Sequence, residues 1–171
     1  MVKVMRIVRV AACIACLTAT TARAHLPIVE VSPGIYRGPA PESAADYRQL
    51  SALGVKTVLD LRKFRTRKMD DSRRCVELHG MDYQQIPVAF RPKRDGSAEC
   101  AFRALTNVGY YPIYIHCELG RDRVGLIVAL YRVRCEGWSL CSAYAEMQRF
   151  GFNEKLRGLE RYFWDCVRGG R

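Results

Sequence analysis

The sequence is poor in histidine and in acids, and it has no long apolar run. Of its 171 residues only three are histidines, His25, His79 and His116. Beyond residue 24 no pair of cysteines or histidines stands at metal-ligand spacing, so a zinc centre is not expected and no cofactor is implied. A papain-like nucleophile would need a distant histidine with an Asn or Asp beside it, and neither His25 nor His79 lies in such a context. Gly-Lys-Ser/Thr is missing, which excludes the nucleotide-type phosphate loop. Internal repeats and low-complexity tracts are absent too. Acids number 17 against 28 lysines and arginines, giving a net charge of +11.

Residues 1–24 read as a leader. Lys3, Arg6 and Arg9 precede an apolar stretch from Val10 to about Leu17, and Ala22-Arg23-Ala24 offers a small-residue cleavage site before His25. The apolar stretch is too short to span a bilayer. A secretory signal peptide is therefore expected, with an exported product, periplasmic or secreted, and no stable membrane anchor after cleavage. Residues 25–171 then suffice for one domain and are too few for two. Cys13 and Cys16 leave with the leader, and Cys75, Cys100, Cys117, Cys135, Cys141 and Cys166 remain. Export permits disulfides. Setting Cys117 aside leaves an odd number, and the expectation is mostly buried thiols, with Cys135 and Cys166 inside apolar helical patterns.

What is present alternates between strand and helix. Ile28–Val31 and Ile35–Arg37 predict short strands around the turn Ser32-Pro33-Gly34. Glu42–Leu53 predicts a helix stopped by Gly54, and Thr57–Leu61 an apolar strand. Asp70–His79 predicts a second helix, Tyr83–Val88 another strand, and Ser97–Asn107 a third helix. After Ile113-Tyr114-Ile115, helices are expected over Val124–Glu136, from Ser139 to about Phe150, and from Asn153 to about Val167, with Trp138 and Trp164 packing in the core. This is the pattern of a single α/β domain with a largely parallel central sheet flanked by helices.

The strand Ile113–Ile115 runs into His116-Cys117-Glu118-Leu119-Gly120-Arg121-Asp122-Arg123, and a helix follows. A strand–loop–helix turn leaves the first helical N–H groups unpaired, and the helix dipole adds positive potential where they point. Such a turn is an anion cradle. It favours the thiolate of Cys117, and Arg123 can return over the cradle to hold two phosphate oxygens at once. Residues Glu118 to Arg123 are thus the expected phosphate-binding loop. Ligands of open parallel sheets bind at the carboxyl ends of the strands, where further cations are expected to form a substrate rim: Arg62, Lys63, Arg91, Lys93 and Arg94. Export, together with the lack of interleaved exposed aromatics in the basic runs, argues against nucleic acid as a partner.

Cys117, five residues, then Arg123, with His116 in front and Gly120 between, resembles the signature loop of the cysteine-dependent protein tyrosine and dual-specificity phosphatases. The resemblance extends from about Ile35 to Phe163. Tyr36-Arg37, the turn Gly38-Pro39-Ala40-Pro41 and Gly54 to Arg62 resemble the opening of small bacterial members, while Gly137-Trp138-Ser139 and Glu146-Met147 resemble their C-terminal helices. The resemblance implies a phosphatase fold of dual-specificity type. It also implies a phosphorylated substrate, a phosphoprotein, a phosphoinositide or an inositol phosphate, attacked by Cys117 through a cysteinyl-phosphate intermediate without a metal.

Two departures stand out. Many relatives carry an aspartate as general acid shortly after the strand ending at Val88, whereas this chain has Ala89, Phe90 and Arg91. Asp95 is the acid within reach there, and Asp122 inside the loop is the favoured alternative. Val124 stands where relatives have Ser or Thr. A phosphate-binding module without turnover therefore remains an alternative reading.

Overall fold

The structure is a computed structural model and describes residues 25–63, 66–92 and 96–168; the expected leader, together with Lys93, Arg94 and Asp95, lies outside the described residues. Five strands form one sheet: β1 (Val29–Ser32), β2 (Ile35–Gly38), β3 (Thr57–Asp60), β4 (Asp82–Gln85) and β5 (Ile113–His116). Their spatial order is β1-β2-β5-β3-β4. Only β1 and β2 pair antiparallel, joined by a tight turn, and the pairs β2–β5, β5–β3 and β3–β4 are parallel. The single α/β domain expected from the alternating pattern is present.

The helices are α1 (Ala44–Ala52), α2 (Arg67–Leu78), α3 (Ser97–Leu105), α4 (Asp122–Arg134), α5 (Leu140–Arg149) and α6 (Arg157–Arg168). Among the described residues no helix is long and apolar enough to cross a membrane. Successive strand side chains point to opposite faces, and this alternation builds two cores. Leu59, Ile113 and Ile115 join the larger one with α3 to α6, while Val58 and Tyr114 join a smaller one with Tyr47, Leu50 and Val76 of α1 and α2. Central β5 is buried at every position, so its sequence is an uninterrupted apolar run up to His116.

Several boundaries differ from expectation for local reasons. α1 starts at Ala44 because Ser43 caps it: Ser43 Oγ accepts from Asp46 N–H, and Asp46 Oδ2 accepts from Ser43 N–H at 2.8 Å. β4 ends at Gln85, although Ile86 and Val88 still donate to Asp60 and Leu61; these acceptors are adjacent residues, where a regular ladder would use every second one, so the register is lost there. α2 begins three residues early, with Met69 buried in its first turn. α6 begins at Arg157 rather than at Asn153, whose Oδ1 accepts from Lys155 N–H at 3.1 Å and closes a local turn instead of capping a helix.

The expected burial of the thiols is corrected. Cys100, Cys135 and Cys141 are exposed, Cys75 and Cys166 are half-buried, and among the described cysteines only Cys117 is buried; all six are free thiols. Cys135 falls at the C-cap of α4, where the helix leaves the core. Trp138 likewise is not core: it is 37% exposed and lies beneath the Arg132 guanidinium.

Candidate active site

The order β2-β5-β3 places the end of β5 between two neighbours, and the loop after His116 is folded against both. A Cβ at Gly120 would collide with the backbone of Gly38 at the end of β2, and Gly120 has φ +68°, so only glycine suits that position. Ala40 N–H donates to Glu118 O at 3.1 Å, and Tyr114 Oη donates to Pro39 O at 2.7 Å. The Gly38-Pro39-Ala40-Pro41 turn therefore braces the loop from one side. Among the described residues no backbone acceptor outside α4 takes an N–H of residues 118–123, so the loop amides next to Cys117 are available to an anion. Cys117 itself is 2% exposed.

Four side chains steady this loop from below. His116 is buried, and its Nδ1 lies 3.0 Å from Cys117 O. A carbonyl only accepts, so Nδ1 carries the proton. Asp60 Oδ1 is 4.0 Å from the same nitrogen. Asp60 also accepts from Arg62 Nε and Nη2 and from Tyr83 Oη at 2.7 Å. Burial alone would raise the Asp60 carboxyl, but His116, Arg62 and Tyr83 together hold it below its usual value. Burial pushes His116 below its usual value, only partly offset by Asp60, so the ring is neutral at pH 7.

A stability prediction follows from that neutrality. Unfolded, His116 titrates near 6.5; folded, it titrates lower, so between the two values the unfolded chain binds more protons. Stability present above that window is expected to fall as pH drops through it, and Asp60 adds a further loss only below the ordinary carboxylate range. Melting temperatures measured from about pH 7 to about pH 5 should decline in the wild type and flatten in His116→Asn. Parallel slopes in the two proteins would refute the assignment.

Arg37 was legible as part of a strand and of the family-like opening, not as a site residue, yet it contacts the loop. It is 2% exposed, its Nη2 donates to Gly120 O at 3.0 Å, and its guanidinium lies 4.1 Å over the Phe150 ring. Burial lowers it to about 10, and the Glu146 and Cys117 charges oppose that shift. The guanidinium thus stays cationic at neutral pH and sits behind the loop. An arginine inside a strand, just before Gly-Pro, was the available signal. Asp60 offered a similar one, an acid in an otherwise apolar strand two residues before an arginine.

The remaining expected site residues divide. Arg123 and Asp122 occupy the first turn of α4. Arg123 Nη1 donates to Leu61 O at 3.4 Å, its guanidinium faces the Phe90 ring at 5.1 Å, and its Nε is buried without a partner among the described residues, as is Arg121 Nε. Asp122 Oδ1 accepts from Asn153 N–H at 2.8 Å. Leu119 is exposed. The Glu118 carboxylate turns away from the loop interior toward Arg62 and Lys68, at 3.6 and 3.5 Å; only its backbone belongs to the cradle. Arg62 is corrected as a rim residue, being buried and committed to Asp60. Lys63 and Arg91, which follow β3 and β4, are exposed. Among the described residues no three His, Cys, Asp or Glu side chains gather to hold a metal.

Comparison with known proteins agrees with this geometry. Dual specificity protein phosphatase TpbA of Pseudomonas aeruginosa is 30% identical over 129 residues, 75% of this chain and 56% of that protein. The chain thus spans little more than half the length of that relative. Inositol diphosphatase DSP2 of Oryza sativa subsp. japonica is 26% identical over 151 residues, 82% of this chain and 69% of that one. The crystal structure of P. aeruginosa TpbA is similar with a TM-score of 0.69 at 27% identity, covering 85% of this chain and 86% of that chain. A second TpbA structure, in complex with pTyr, has a TM-score of 0.66 at 27% identity, covering 84% and 91%. A family model described as the tyrosine phosphatase family matches residues 26–167, and with the cysteine–arginine loop in place between β5 and α4 the chain belongs to that family.

Proposed function

We propose that this protein hydrolyses phosphomonoesters through a cysteinyl-phosphate intermediate, as a tyrosine or dual-specificity phosphatase. The observation that carries the reading is Cys117, buried in the loop between β5 and α4, with Arg123 in the first turn of the helix that follows. In the first step Cys117 Sγ forms a bond to phosphorus as the ester P–O bond breaks, and Asp122 gives its proton to the leaving oxygen. Water then attacks phosphorus, the P–S bond breaks, and Asp122 takes the proton back. The loop donors and Arg123 stabilise the equatorial oxygens in both steps.

A second reading, an inositol polyphosphate or phosphoinositide phosphatase on the same scaffold, is favoured by the exposed cations Lys63 and Arg91, which follow β3 and β4, and by the rice relative's name. Export of the domain after removal of residues 1–24 belongs to the proposal and rests on the leader pattern alone. The test is phosphate release from a phosphotyrosine peptide, a phosphoinositide and inositol hexakisphosphate by the reduced protein with a chelator present. Release from one of them carries the reading; binding without release would make the protein a phosphate reader.

Val124 bears on the second step. It is fully buried and has no hydroxyl to support the departing thiolate. Val124→Thr is expected to raise the steady-state rate about ten-fold, the worth of one hydrogen bond to a charged group, on an aryl phosphate whose first step is fast. A folded variant with an unchanged or slower rate would sink the idea.

A further inference from the structure

Beside the phosphate loop lies a second basic concavity. It has a volume of about 730 Å³, and its walls include Phe90, Arg91, Lys155, Arg157, Arg161 and Tyr162. Four cations thus face one space whose lining, among the described residues, holds no acid. Of the acids nearest in sequence, Glu154 accepts from Gln148 Nε2 at 2.7 Å and Glu160 from Tyr144 Oη at 2.8 Å, while Glu160 and Asp165 line a smaller neighbouring cleft on the far side of Arg157 and Arg161. The salt bridges among the described residues include none to Arg91, Lys155, Arg157 or Arg161, whereas Arg62, Arg103, Arg132 and Arg134 each have a carboxylate partner. Like charges gathered without counter-charge repel one another and concentrate positive potential in the cleft they line. An anion placed there relieves both effects.

The concavity adjoins the cysteine loop. Phe90 is its wall on one side and lies 5.1 Å from the Arg123 guanidinium on the other. Asn153 N–H donates to Asp122 Oδ1, so the α5–α6 connection that carries Lys155 is fastened to the loop itself. A Cβ at Gly158 would collide with Phe90 O, which shows how closely α6 is seated on this segment. The two basic spaces are therefore held in a set relation, with one aromatic ring between them.

We propose that this concavity is a second anion subsite, formed by Arg91, Lys155, Arg157 and Arg161, which takes a further phosphate of the molecule whose scissile phosphate occupies the Cys117 loop. The inference rests on the phosphatase reading and narrows it to compact substrates carrying more than one phosphate. Arginine forks suit a phosphate dianion better than a single carboxylate, and the volume is that of a small-molecule site rather than a peptide groove.

The test uses inositol hexakisphosphate as a competitor of p-nitrophenyl phosphate, which has one phosphate and cannot bridge. In the wild type, inositol hexakisphosphate should inhibit far more tightly than inorganic phosphate. In Arg157→Gln/Arg161→Gln its inhibition constant should rise about ten-fold or more, while the KM for p-nitrophenyl phosphate changes much less. All of the substituted side chains are exposed, so the fold is expected to survive, and Lys155→Gln alone should give a smaller shift in the same direction. Equal changes for the two compounds, or no preference over inorganic phosphate, would overturn the subsite. Vesicles of phosphatidylcholine carrying a phosphoinositide form a third arm. Inhibition by vesicles but not by the soluble polyphosphate would place the second anion on a membrane surface and overturn the small-molecule assignment. If p-nitrophenyl phosphate is not hydrolysed at all, the phosphatase reading fails separately. Calorimetric binding of inositol hexakisphosphate to wild type and double variant then decides the subsite on its own.

Discussion

Replacing Cys117 by serine is expected to cut phosphate release by roughly a million-fold, the scale of loss when an enzyme is deprived of its nucleophile. That factor corresponds to about 8 kcal/mol of barrier. A serine hydroxyl is nearly isosteric with the thiol but is not ionised at neutral pH, and among the described residues no side chain hydrogen-bonds to the side chain at position 117 to take its proton. The one histidine nearby, His116, already donates its Nδ1–H to the Cys117 carbonyl and is walled in by β3 and β5. Binding should survive, because the loop N–H groups, Arg123 and Arg37 are untouched. The decisive comparison is therefore phosphate release against calorimetric affinity for the same phosphotyrosine peptide, in wild type and Cys117→Ser, with a chelator present. Turnover lost with affinity kept identifies the nucleophile. Turnover within a hundred-fold of wild type would mean that another group attacks phosphorus and would remove Cys117 from the mechanism.

Arg123→Lys is expected to slow turnover by about a thousand-fold, near 4 kcal/mol, as when a preorganised donor to a developing oxyanion is removed. The charge is kept in this variant, so the loss isolates geometry. The Arg123 guanidinium is oriented by Leu61 O and faces the Phe90 ring. That placement presents two parallel N–H groups, and an ammonium cannot reproduce the planar fork. Because the fork serves the spread-out charge of the transition state more than the ground state, kcat and kcat/KM should fall together while KM rises only modestly. A variant that lost only KM would show that Arg123 merely attracts substrate. A variant with full activity would move the clamp to Arg121, whose Nε is also buried without a partner among the described residues.

These two residues were legible because everything that brings them together is local. Six positions of chain separate Cys117 from Arg123, a buried strand precedes and a helix follows, and that succession turns the loop amides inward whatever surrounds them. The sheet was legible for a similar reason, since the alternation of short apolar strands with amphipathic helices leaves few ways to bury both faces. Element ends were less so. Asn153 is a good helix cap by residue type, but its side chain satisfied the nearer Lys155 N–H instead, and Cys135 ends a helix whose apolar pattern runs past the point where it leaves the core.

Sequence alone determined the family and the loop that carries Cys117 and Arg123, because those depend on spacing along one stretch of chain. Tertiary structure decided the rest. Arg37 reaches Gly120 from 83 residues away, Arg123 meets Leu61 across 62, and Asp60 is joined to Tyr83 across 23. Arg62 reads as a rim cation until Asp60 is seen to hold it inside. Lys155, Arg157 and Arg161 are not singled out by the sequence, and they share one concavity with Phe90 only once α6 is seated. Which ends of the chain meet is set by the order β1-β2-β5-β3-β4. That order is chosen by the simultaneous burial of two sheet faces, a condition on the whole chain that no single segment carries.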